Sequence, residues 1–108
     1  MIREEILATA QKCVCGDRDQ DYGSPENSFM AIASLWSDYL YAAQIIDPET
    51  AMRAIGPKDV AAMMVLFKVA RIATGQNKAD NWIDAAGYAA CGGEVEGLYG
   101  RSDRQNRA

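Results

Sequence analysis

The chain has 108 residues, 49% of them hydrophobic, with a formal net charge of −4. That is one domain's length with enough apolar content to fold, so whole-chain disorder is excluded. The acidic balance makes nucleic acid an unlikely partner, because a broad electrostatic grip needs a basic face.

No apolar run reaches the roughly 18 residues a membrane span needs, so no membrane association is expected. The N-terminal MIREEILATA has no basic stretch leading into an apolar core, so it does not read as a secretion signal. Three cysteines (Cys13, Cys15, Cys91) and no histidine point to a reducing, cytoplasmic setting and to free thiols rather than a zinc site.

The first predicted helix runs from about Ile2 to Val14, with Ile2, Ile6, Leu7, Ala10 and Val14 on one stripe. Residues 15–23 form a charged loop flanked by glycine. Ser24-Pro25-Glu26 gives an N-cap, a first-position proline and a first-turn acid, so a second helix starts there and runs to about Ala43. Phe29, Ile32, Ala33, Trp36, Leu40 and Ala43 share a face of it. Asp47-Pro48-Glu49 opens a short helix or turn ending by Gly56. A third main helix runs from Pro57 to about Thr74, apolar almost all round, with Gly75 as its terminator.

A fourth helix spans about Ala79 to Glu96. The short connection forces it antiparallel to the third. The fold class expected is all-α, a four-helix bundle-like domain with a central antiparallel hairpin, as a single helical domain over 1–96. Residues 97–108 read as a polar C-terminal tail. The third helix is too apolar for so short a chain to cover, which predicts a homodimer or higher homo-oligomer.

Polar groups inside these helices are the candidates for chemistry. At about 100° per residue, Asp80 and Asp84 project within roughly 40° of each other. Two carboxylates so placed can form half of a Mg²⁺ site, or can cap the helix and pair with Lys68 or Arg71 across the hairpin. Lys68 and Arg71 lie roughly 60° apart and suit either phosphate or a structural ion-pair network. Asp59 is either a ligand or a helix-terminus acid. In the loop, Arg18 could hold phosphate and Tyr22 could stack on a base.

Several segments occur in a recognisable order. They are Asp17-Arg18-Asp19-Gln20-Asp21-Tyr22-Gly23-Ser24-Pro25, Ile32-Ala33-Ser34-Leu35-Trp36, Asp59-Val60-Ala61-Ala62-Met63-Met64, Lys68-Val69-Ala70-Arg71-Ile72 and Lys78-Ala79-Asp80-Asn81-Trp82-Ile83-Asp84-Ala85-Ala86-Gly87-Tyr88-Ala89. Together they resemble a small phage- and prophage-associated family of unknown function. That family is distantly similar to the MazG-like, all-α nucleoside triphosphate pyrophosphohydrolases.

The resemblance implies a Mg²⁺ cofactor and a nucleotide or related small molecule as ligand. Asp80 and Asp84 would be metal ligands with Asp59 or Glu26 assisting. Lys68, Arg71 and Arg18 would neutralise phosphate, and Tyr22 or Trp36 would stack on the base. It also implies the cytoplasm of a bacterial host if the chain is phage-encoded. The sequence departs from that pattern. Those enzymes carry Glu-x-x-Glu and Glu-x-x-Asp on successive helices, whereas this chain offers Asp80-x-x-x-Asp84 or Asn81-x-x-Asp84, and Asp59 has no second acid one turn on. Two alternatives therefore stay open: a non-catalytic module that binds a nucleotide or a host protein, and a structural or assembly protein.

Overall fold

The computed structural model describes residues 1–15, 25–51, 55–75 and 77–107, without the side chains of 25–27, 51 and 99–107. The described residues form α1 (Arg3–Val14), α2 (Pro25–Ala42), α3 (Pro48–Ala51), α4 (Pro57–Ala73) and α5 (Ala79–Arg107), with no strand among them. The fold is all-α, as expected.

Local chemistry explains most boundaries. Pro25, Pro48 and Pro57 each stand at the first helical position, where the missing N–H costs nothing. Asp47 Oδ1 accepts a hydrogen bond from the Thr50 amide at 2.8 Å and so caps α3. Asp59 Oδ2 accepts one from the Gly56 amide at 2.9 Å, which ties down the entry to α4. Gly75 terminates α4 with φ of 99°, a left-handed conformation that favours glycine. Gly97 adopts no such conformation, and α5 runs through it to Arg107. A glycine weakens a helix, but stops it only where the backbone turns left-handed, so α5 continues past Glu96, where the sequence reading ended it.

The α4–α5 hairpin is the most extensive packing in the molecule, with α1 laid on α5 and α2 on α4. Its core is Phe29 and Ala33 from α2, Val60 and Ala61 from α4, and Cys91 and Val95 from α5. Val14, Ile32, Trp36, Met64 and Tyr88 pack around it. The helices approach closely because the contact residues are small: a Cβ on Gly92 would stand 2.8 Å from Ala61 Cβ, and one on Gly87 3.0 Å from Val14 Cγ1.

On α1, Ala10 is buried while Ile2 and Leu7 are exposed. The predicted stripe is therefore only partly used. The three thiols are free and graded in exposure, with Cys15 exposed, Cys13 half-buried and Cys91 buried.

Candidate functional site in the helical hairpin

Lys68 sits on the face of α4 that looks toward α5. Asp84 sits one turn into α5, facing back. The antiparallel pairing brings Lys68 Nζ to 2.9 Å from Asp84 Oδ2, with the two side chains 15% and 36% exposed. A lysine so far removed from water needs a partner, and Asp84 is that partner. Of the two bridges the spacing allowed, Lys68 or Arg71, the chain makes the first. Arg71 is exposed, and both cations approach the Phe67 ring, Lys68 Nζ at 5.6 Å and Arg71 Cζ at 5.9 Å from its centroid. Asn81, 5% exposed, is buried one turn before Asp84 and is engaged by the protein. Asp80, in the first turn of α5, is exposed.

Toward the other end of the hairpin lies a cleft of about 340 Å³. Ala61, Ala62, Val65, Tyr88, Ala89 and Gly92 line it together with the charged Lys58, Asp59 and Glu96. Lys58 Nζ and Glu96 Oε1 are 3.9 Å apart, both more than half exposed. Tyr88 reaches from this cleft toward the core, where its ring centroid is 6.5 Å from that of Phe29. Val65 is one turn from Lys68 and Tyr88 one turn from Asp84. The cleft and the Lys68–Asp84 pair are thus consecutive stations along one helix seam.

Asp59 is nine residues from Lys68 along α4, about 13 Å at 1.5 Å per residue. Its carboxylate is used on the Gly56 amide. Asp59 therefore stands at the cleft and not beside Asp84. Among the described residues no three His, Cys, Asp or Glu side chains group closely enough to hold a metal ion. Trp36 is half-buried against the core. Arg18 and Tyr22 lie outside the described residues, as does the side chain of Glu26, which stands in the first turn of α2. Sequence reasoning missed the Lys58–Glu96 bridge and the Ala61–Gly92 crossing. The second had a signal, the Gly92-Gly93 doublet inside a helical pattern.

Residues 5–96 match the family described as Domain of unknown function (DUF6378). The chain belongs to this family. It is similar to the Gene 55 protein of Mycobacterium phage D29, at 39% identity over 97 residues, which is 89% of this chain and 54% of that protein. It is also similar to the Gene 55 protein of Mycobacterium phage L5, at 37% identity over 84 residues, 78% of this chain and 47% of that protein. The family is thus one with phage members and no stated function, and the chain spans about half the length of these relatives. No solved structure matches it. None of the helices of the described residues is long and apolar enough to cross a membrane.

Proposed function

We propose that the chain acts on a nucleoside triphosphate at the inner seam of the α4–α5 hairpin, as a Mg²⁺-dependent pyrophosphohydrolase in the cytoplasm of a phage-infected bacterium. The observation that carries this reading is the Lys68–Asp84 pair, a cation and a carboxylate turned inward at 2.9 Å, one helical turn from Val65 and Tyr88 of a cleft. A purely structural helix pair has no need of it, since well-packed apolar residues serve as well or better.

The donor set fits the metal. Mg²⁺ is usually held by one or two carboxylates together with substrate phosphates, rather than by a cage made of protein alone. Asp84 and Asp80, one turn apart on α5, would be such a pair, and Mg²⁺ held there would supply an activated water and charge neutralisation. Lys68 would exchange Asp84 for a phosphate oxygen, and Arg71 would add a forked grip on the same group. The Tyr88 cleft offers an apolar wall for the rest of the nucleotide. Arg18, Tyr22 and Glu26 are the further residues to test.

A second reading is a binding module without turnover. Two observations favour it: Lys68 is already seated on Asp84, and three metal-ligating side chains do not converge among the described residues. One experiment separates the readings: pyrophosphate release across a nucleotide panel with and without Mg²⁺, alongside thermal melts. Hydrolysis predicts Mg²⁺-dependent release that Asp84→Asn lowers at least about 100-fold while helicity is kept. Stabilisation by a nucleotide without release favours binding alone. If neither occurs and Asp84→Asn melts the fold, the pair is structural and both readings fail.

A further inference from the structure

Helix α4 is built inside out. From Val60 to Ala73 its only charged residues are Lys68 and Arg71. Lys68 faces α5, and Arg71, itself exposed, stands at one edge of the helix's exposed arc. The rest of that arc is Ala62, Met63, Leu66, Val69, Ala70 and Ala73, all exposed and without a polar side chain among them. Phe67, 49% exposed, sits at its edge. A helix facing only water carries its polar residues on the outside, so this arc is made to be covered.

The neighbouring outer face of α5 continues the surface in a different shape. Trp82 is 57% exposed at its start. Ala86, Ala89, Gly93 and Gly97 follow at three- and four-residue steps, and a Cβ on Gly93 or Gly97 would meet nothing within 4 Å. The hairpin therefore shows a bulky ridge on α4 beside a shallow groove on α5.

We propose that a second copy of this chain covers this face, so that the cleft, which Ala62 and Ala89 also line, lies between the two copies. A two-fold axis parallel to the helices lays the ridge of each copy into the groove of the other, so the face is its own complement. The same axis sets Lys58 of each copy opposite Glu96 of the other. These are the charges at the cleft end of the face, and they form only a long, exposed bridge within one copy. The exposed fractions of Met63, Leu66, Phe67, Val69 and Trp82 amount to roughly 600 Å². That is most of the ~800 Å² per partner in a stable interface. A lipid surface fits poorly, because interfacial helices carry a basic rim and this chain has a net charge of −4.

Sedimentation equilibrium of the whole chain at micromolar concentration tests this. The expected mass is twice the single-chain 11.8 kDa. Leu66→Glu, at a site 66% exposed, halves the mass with its helical circular dichroism unchanged, and Ala89→Arg on the groove side does the same. Leu35→Glu, equally exposed on α2 at 67%, leaves the mass doubled. A wild-type chain sedimenting at 11.8 kDa overturns the proposal, as does a doubled mass in both face variants. Binding of a single-chain species to neutral or anionic vesicles assigns the face to lipid instead and overturns it too.

Discussion

Among the described residues two ion pairs bridge α4 and α5, one near each end, and they are the same chemistry in different solvents. Lys58–Glu96 is 3.9 Å long with both side chains more than half exposed. Lys68–Asp84 is 2.9 Å long, with the lysine 15% exposed. The first gains little Coulomb energy in water and orders two long side chains to get it. The second holds a cation that has given up most of its hydration, so each member depends on the other. The difference teaches that a bridge marks a candidate site only where burial makes it obligatory.

The largest expected effect tests that dependence. Asp84→Ala should cost about 1–3 kcal/mol in chemical denaturation, discounted from the buried-pair range because Asp84 is partly exposed. A double-mutant cycle with Lys68→Met should return a coupling above that of Lys58→Ala with Glu96→Ala, which stays within about 0.5 kcal/mol. Equal couplings at the two ends would break the comparison.

The Ala61–Gly92 crossing lies between the two bridges and sets how closely the helices stand. Gly92→Ala should destabilise by about 1–2 kcal/mol, since overpacking outweighs the helix propensity gained. It should also weaken the Lys68–Asp84 coupling while leaving Lys58–Glu96 alone. Gly97→Ala, at a helical glycine with open space around it, should stabilise by about 0.4–1 kcal/mol. A Gly92→Ala variant as stable as the parent would show that the crossing does not govern the inner pair.

The smallest effect concerns a third environment, a carboxylate wholly in water. Asp47 is held below its usual carboxylate range, first by the Thr50 backbone amide and then by the Thr50 side chain. Because the folded value is the lower one, this cap contributes above the carboxyl's unfolded pKa and is lost as the pH falls through the folded one. The Thr50 amide should therefore lose protection, measured against its intrinsic exchange rate at each pH, as the pH falls through that value, and Asp47→Ala should lack this protection at every pH. An Asp47 carboxyl titrating at the usual carboxylate value would remove this case.

Much of the fold was legible because its signals are local. The prolines at 25, 48 and 57, the left-handed Gly75 and the short turn before Ala79 each fix a boundary or a direction within a few residues. The Lys68–Asp84 bridge was readable as one of two options, since helical phase puts both cations near the seam. Choosing between them needed the rotation of α4 about its axis, which depends on where Val60 and Ala61 meet Gly92. Asp59 was ambiguous for a similar reason. A first-turn acid can serve a ligand or its own backbone, and the contact with the Gly56 amide is not legible in the sequence. The stripe on α1 overstated burial, because phase alone does not bury a side chain, and Leu7 is 64% exposed. Gly97 misled because glycine's helix-stopping role depends on a backbone angle that composition does not carry.

The graded cysteines have a practical consequence. Cys15 is exposed at the end of α1, Cys13 is half-buried, and Cys91 lies in the core. Thiol-reactive probes can reach Cys15 directly, and the other two only as the structure around each one opens. The chain thus carries its own three-point clock. Cys15 reports the native surface, Cys13 the loosening of α1 from α5, and Cys91 the opening of the core, all without an added label site.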